Sequence, residues 1–255
     1  MAVATIGLLH PGEMGAAVGG VLQGRGHHVL WASEGRSPET RKRAEEAGLE
    51  DAASLEELVR SSEVIFSVCP PHAALDVAGS VAGFRGVFVD ANAIAPGTAR
   101  EVGAIVAAGG AESVDGGIVG SPPRAAGTTR LYLSGAEAKA VAALFAGSVL
   151  DVRVIGGEVG TASALKLAYA AWTKGTAAML LAIEELARAE GVETPLHEEW
   201  RLSLPELPER SERAARSAAA KGWRWVGEME EIASAFAAAG LPDGFHRAAA
   251  EVFRK

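Results

Sequence analysis

The chain has 255 residues, 49% of them hydrophobic and 22% charged, and carries a formal net charge of −8. Such a length supports two packed cores, and the negative balance argues against a nucleic-acid partner or an anionic membrane surface. Cys69 is the only cysteine, which excludes an intrachain disulfide and gives no sign of an oxidising compartment.

Residues 3–9 form a short apolar run that ends in a turn containing Gly and Pro, the pattern of a buried parallel strand. The N-terminus lacks a positively charged lead, so it reads as a strand rather than a signal peptide. A helix follows, with Met14, Val18, Val21 and Leu22 on one face and Gly24 and Gly26 closing it. Residues 28–32 make a second strand, with His27-His28 as the turn into it. Residues 38–48 are a charged helix with Gly48 as cap, and Ser54-Leu55-Glu56-Glu57 fits a capping box. Residues 64–68 and 87–90 are the next strands, separated by Pro70-Pro71. Residues 96–108 form a helix with Pro96 in its first turn. Further strands are expected near residues 113–115, 131–134 and 152–155. Alternating strands and helices predict an α/β fold with a doubly wound parallel sheet, here of Rossmann type. After Gly157 the pattern is helical only. The expected domains are therefore 1–156, binding a nucleotide cofactor, and 157–255, all-helical.

The first strand runs into Leu9-His10-Pro11-Gly12-Glu13-Met14-Gly15. Gly12 would let the backbone approach a pyrophosphate, Gly15 would permit close packing, and the amides opening the Met14 helix would face the phosphates. His10 occupies the place of the fingerprint's first glycine, and Pro11 removes one amide donor. At the end of the second strand Ser33 stands where an acid would read a ribose 2′-hydroxyl, and Arg36 and Ser37 follow. This favours NADP(H), with NAD(H) kept open by Glu34, which one residue of shift would make the ribose acid.

From residue 161 to 189 a single glycine, Gly175, interrupts the helical pattern, and the residues are apolar on nearly every face. A helix buried between other elements is expected, running roughly 40 Å. Lys166 stands out in it. Burial would lower its pKa toward neutrality, where an amine can exchange protons, although a lone helical lysine more often lays its stem on apolar surface. Tyr169, one turn on, is the accompanying substrate contact.

Four segments, in this order, resemble the β-hydroxyacid dehydrogenase superfamily, which includes 3-hydroxyisobutyrate and 6-phosphogluconate dehydrogenases, with imine reductases as divergent relatives. They are residues 7–15, Ser67-Val68-Cys69-Pro70, Asp90-Ala91-Asn92-Ala93-Ile94-Ala95-Pro96, and Gly157-Glu158-Val159-Gly160 with Lys166. More closely the chain is similar to a branch of phosphogluconate-dehydrogenase-like proteins whose C-terminal domain has no assigned substrate. The resemblance implies Lys166 as catalytic acid/base, Val68, Cys69 and Pro70 along the nicotinamide ribose, and Asn92 near the nicotinamide. It also implies that Gly120 and Ser121 lie in a loop holding a substrate carboxylate. Departures are Ala170 where the family has Asn, and Ile118-Val119-Gly120-Ser121-Pro122-Pro123 in place of its Ser-Gly-Gly loop. No match to the family's second lysine is found in the C-terminal part.

The reading is a cytoplasmic oxidoreductase moving a hydride between NADP(H) and a small hydroxyacid or ketoacid. Its alternatives are an imine-reductase-like activity and a catalytically idle NADP(H)-binding regulator, with an S-adenosylmethionine methyltransferase disfavoured by the segments after Ser67. No metal is expected, because His197 and His246 lack ligand spacing. Trp200, Trp223 and Trp225, with Arg201, Arg224 and His197, are candidates for a pocket or for helix packing. A helical domain of this size leaves its long apolar helix uncovered, so a homodimer through the C-terminal helices is expected.

Overall fold

The computed structural model describes residues 3–254, so the first two residues of the leading segment lie outside the described residues. The chain divides into two compact units, Met1–Lys166 and Leu167–Lys255.

The first unit is built on an eight-stranded sheet of order β3-β2-β1-β4-β5-β6-β7-β8. Its strands are β1 (Thr5–Leu8), β2 (His28–Trp31), β3 (Glu50–Asp51), β4 (Val64–Ser67), β5 (Val87–Asp90), β6 (Glu112–Gly120), β7 (Thr129–Ser134) and β8 (Asp151–Val154). Helices α1 (Glu13–Gln23), α2 (Pro38–Glu46), α3 (Leu55–Ser61), α4 (Ala74–Ser80), α5 (Pro96–Ala108) and α6 (Ala138–Leu144) connect them. Strand residues alternate between two cores, as a sheet covered on both faces requires. Ile6, Leu8, Phe66 and Val89 belong to one, with Val18, Leu22 and Phe145. Ile65 and Phe88 belong to the other, with Leu58, Val77, Val102 and Val106.

Several expectations need correction. The sheet is not wholly parallel: β7 runs antiparallel to β6, from Asp115 opposite Ser134 to Gly120 opposite Thr129. Gly120 therefore ends a strand rather than sitting in a loop. Strand β3 was invisible to pattern because two charged residues carry no periodicity. The capping box is half formed: Ser54 Oγ accepts from the Glu57 amide, but Glu57 turns to Arg60 and Ser61. His27 is more than a turn residue. It is 3% exposed, its Nδ1 accepts from the Ala4 amide, and its Nε2 donates to the Leu144 carbonyl, which ties the start of β1 to the end of α6.

Helix α7 (Thr161–Ala189) begins in the first unit and continues into the second. The second unit adds α8 (Glu193–Ser203), α9 (Leu207–Ala238) and α10 (Gly244–Arg254). Leu180, Trp200 and Ala214 form a small core with Ile183 and Leu196. Along α9 and α10 the buried residues include Met229, Ile232, Ala249, Ala250 and Phe253. Polar ties reinforce the packing: Lys174 pairs with Glu228, and the Glu184 carboxylate takes His197 Nε2 and Ser211 Oγ.

Helix α7 is not buried all round. Tyr169 is 50%, Trp172 64%, Met179 44% and Leu186 62% exposed. The alanines that made the sequence look uniformly apolar line the covered face at Ala170, Ala178 and Ala187. No helix among the described residues is long and apolar enough to cross a membrane.

Candidate active site

The strand order places β1 between β2 and β4, so the chain reverses direction of travel across the sheet there, and ligands of such sheets sit beyond the carboxyl ends of the strands. Four of the segments singled out above lie at that edge: the turn after β1, Ser33 after β2, Cys69 after β4 and Asn92 after β5.

Gly12 caps α1 with extended backbone and no side-chain capping bond. A Cβ on Gly12 would meet nothing within 4 Å, whereas one on Gly15 would stand 2.2 Å from the His10 carbonyl oxygen. Gly15 is thus fixed by the tightness of the turn itself. Gly12 leaves open space before a helix N-terminus, the place an anion takes. These residues fit a dinucleotide pyrophosphate. His10 fills the first-glycine position with a buried Nδ1 that has no hydrogen-bond partner among the described residues. Burial, and then the Arg36 guanidinium, pull its pKa down to about 4, so the ring is neutral at pH 7.

Around this turn Arg36 Nη2 donates to the Leu9 carbonyl (3.1 Å), Arg43 Nη1 to Pro11 (3.0 Å) and Arg41 Nη2 to Ser33 (2.7 Å). Ser37 caps α2, its Oγ accepting from the Thr40 amide. The Ser33 amide is held by Asp51 Oδ1 at 3.2 Å. Glu34 is exposed. Sequence pattern singles out Arg36 and Ser37, whereas Arg41 and Arg43 fall within the charged helix expected over residues 38–48.

Asn92 is 3% exposed and fully engaged. Its Oδ1 accepts from the Cys69 amide (2.6 Å), and its Nδ2 donates to Ser67 Oγ (3.1 Å) and Asp90 Oδ2 (2.8 Å). Its amide is therefore occupied in fixing the Val68-Cys69-Pro70 segment and offers little to a ligand. Burial pushes the Asp90 carboxyl up to about 7, against two Asn92 donors that favour the charged form. Burial also raises the Cys69 thiol to about 11, which makes it a poor nucleophile at neutral pH.

Lys166 is half-buried, and its Nζ donates to the Ile118 carbonyl at 2.6 Å. Desolvation lowers its pKa to about 8. Its approach to β6 depends on Gly117, where a Cβ would lie 2.8 Å from the Ala162 carbonyl and 2.9 Å from the Lys166 Cβ. The start of α7 is held by Asp115, 1% exposed. Asp115 Oδ2 accepts from the amides of Gly160 (2.9 Å) and Ser163 (3.0 Å) and from Ser134 Oγ, and its Oδ1 accepts from Ser163 Oγ (2.6 Å). Ser134 Oγ takes the Ala162 amide. A strand carboxylate thereby satisfies amides at the N-terminus of α7. Gly160 has φ +100 and lies against Pro96 and Arg100, so only glycine fits there. An acid inside an otherwise apolar strand is the signal in the sequence that Asp115 serves the interior. Past Gly120, the Ser121 carbonyl accepts from Thr129 Oγ1. Tyr169 lies one turn beyond Lys166 on α7.

A cavity of about 600 Å³ in the first unit lies elsewhere, between α5, the start of β6 and the 157–159 loop. Of the C-terminal candidates, Trp200 is buried in the core, stacked on His197, and Trp223 is exposed beneath Arg224. His197 does find acidic neighbours that its sequence spacing hid: donor atoms of Glu184, Glu193 and His197 lie within 4.8 Å of one another. Glu184 is already bonded to His197 and Ser211, and Glu193 to Arg188, which makes the group a clamp between α7, α8 and α9.

Comparison with known proteins agrees with this geometry. Residues 2–150 match the NAD binding domain of 6-phosphogluconate dehydrogenase, and residues 187–255 a domain of unknown function. An uncharacterised 28.5 kDa protein of Methanothermus fervidus is 31% identical over 160 residues, which are 62% of this chain and 61% of that protein. A solved conserved protein of unknown function, described as structurally similar to 3-hydroxyacid dehydrogenases, superposes with TM-score 0.73 at 29% identity, over 98% of this chain and 95% of its own. A 3-hydroxyisobutyrate dehydrogenase from Salmonella typhimurium shares the fold, with TM-score 0.75 at 16% identity, over 98% of this chain and 93% of its own.

Proposed function

The chain belongs to the family of the NAD binding domain of 6-phosphogluconate dehydrogenase, and on that premise we propose that it transfers a hydride between NADP(H) and a small hydroxyacid or ketoacid, with Lys166 as general acid/base. Its fold and family are those of 3-hydroxyacid dehydrogenases, an oxidoreductase family. One observation carries the chemical reading: an amine desolvated enough to have a pKa of about 8, aimed by a hydrogen bond to the Ile118 carbonyl.

Hydride delivery to a carbonyl leaves negative charge on its oxygen, and the Lys166 ammonium stabilises that charge and gives up a proton. In the other direction the neutral amine takes the proton of the hydroxyl. A bound nicotinamide cofactor supplies or accepts the hydride. Asp115 and Ser134 hold the first turn of α7, and with it the amine, while Asn92 holds the Cys69 amide that would border the nicotinamide ribose. The exposed backbone at Gly12 would receive the pyrophosphate. Support for NADP(H) over NAD(H) comes from the arginines gathered on the Leu9, Pro11 and Ser33 carbonyls and from Asp51 being committed to the Ser33 amide. A cytoplasmic homodimer through the exposed side of α7 completes the reading.

The test is Lys166→Met, assayed with NADPH and NADH against hydroxyacids, ketoacids and cyclic imines. Turnover should fall roughly 10²–10⁴-fold with cofactor affinity kept. In the wild type the reductive rate should hold below pH 8 and decline above it, where the amine loses its proton; the oxidative rate should rise through the same pH. Undiminished turnover in the variant removes Lys166 from the reaction.

A further inference from the structure

The second unit contains a cavity of about 280 Å³ between α7 and α9. From α7 it is lined by Trp172, Thr173, Thr176, Ala177 and Leu180, and from α9 by Arg210, Arg213, Ala214, Ser217 and Trp225. Both sets follow helical spacing, so each helix turns one continuous face toward the void. Its lining combines small residues (Ala177, Ala214, Ser217) with two indoles, Trp172 and Trp225.

The polar inventory of this lining is lopsided. Thr176 Oγ1 donates to the Trp172 carbonyl of its own helix, and Thr173 Oγ1 does the same to Tyr169, so neither hydroxyl has a proton to offer. Arg213 is paired with Glu209. Lys174, beside Trp225, is paired with Glu228. That leaves the half-buried Arg210, whose guanidinium has no ion pair or side-chain hydrogen bond among the described residues, and the Ser217 hydroxyl. A half-buried cation without a counter-charge is costly, and an acceptor entering the void would relieve that cost. The indoles meanwhile offer flat apolar walls.

We propose that this cavity is a binding site for a small carboxylate with a flat or branched apolar body, its acid group on Arg210 and Ser217 and its body between Trp172 and Trp225. Its volume, at the low end of the roughly 300–1,000 Å³ of small-molecule sites, suits a ligand of about ten non-hydrogen atoms. The site lies wholly within the second unit and requires no hydride chemistry, so it stands separately from the reaction proposed above.

Phenylacetate and its neutral amide, phenylacetamide, are suitable probes because neither can exchange a hydride. Isothermal titration of the full chain should show the acid binding once per chain and at least about tenfold more tightly than the amide. Arg210→Gln should erase that preference while leaving amide binding within a factor of about two, and Trp225→Leu should weaken both ligands. Lys166→Met should bind both probes as the wild type does. Equal affinity for acid and amide, an unchanged preference in Arg210→Gln, or no binding of the acid at millimolar concentration would each overturn the proposal.

Discussion

Arg36 reaches back over the turn after β1 to the Leu9 carbonyl, and its charge adds to the burial that keeps the His10 imidazole neutral. A guanidinium whose donors are only partly used by a carbonyl keeps others for a phosphate. Arg36→Ala should therefore weaken NADPH binding by roughly tenfold or more, about 1.4 kcal/mol per decade, and leave NADH within a factor of about two. Fluorescence titration with both cofactors measures it, and an equal loss for both would assign Arg36 to the fold of the turn instead. Single residues were unevenly readable in the sequence. Gly12, Gly15 and Arg36 sit in a turn whose geometry is local, so spacing along the chain was informative. Asp115, Ser134 and Ser163 join β6, β7 and α7, and no short window contains that association.

At the scale of elements, the meeting of β6 and α7 depends on what is absent from side chains. Gly117→Ala would push a methyl into the Ala162 carbonyl and the Lys166 stem. A loss of about 1–3 kcal/mol in unfolding free energy is expected, together with slower turnover as the amine is displaced. Gly12→Ala is the matched contrast, since its methyl enters open space and its φ of −68 suits any residue. It should unfold in denaturant as the wild type does yet bind dinucleotide more weakly; a stability loss equal to that of Gly117→Ala would show both glycines to be structural. Strands β1, β2, β4 and β5 were legible because burial on both faces writes uninterrupted apolar runs. The direction of β7 was not, because antiparallel and parallel strands of this length share one composition. The exposed side of α7 was hidden by alanine, which is apolar enough to read as buried and small enough to be tolerated in water.

For the whole molecule, the stripe on α7 formed by Tyr169, Trp172, Met179 and Leu186 repeats every seven residues over much of its length, the signature of a helix that meets another helix. Trp172 belongs at once to that stripe and to the wall of the α7–α9 cavity. A homodimer should appear in light scattering as twice the chain mass at micromolar concentration. Met179→Glu with Leu186→Glu should convert it to monomer with secondary structure retained, and a monomeric wild type would show the stripe to be merely tolerated exposure. Two units could be anticipated from the loss of strand pattern after Gly157, but which surfaces each unit leaves uncovered depends on packing that no linear pattern encodes.

The carboxylate of Asp115 has a consequence for how such a chain can diversify. Each residue of slippage along a helix would swing its side chains by about 100°. Asp115 and Ser134 grip the amides of Gly160, Ala162 and Ser163, and so set the angular register of Lys166 entirely from strand residues that precede the helical unit. Everything after Leu167 is then free to be rewritten for new ligands or new oligomers while the amine keeps its bearing. An amine fixed by the strand-bearing unit, followed by a helical unit that does not set its bearing, is the architecture that results.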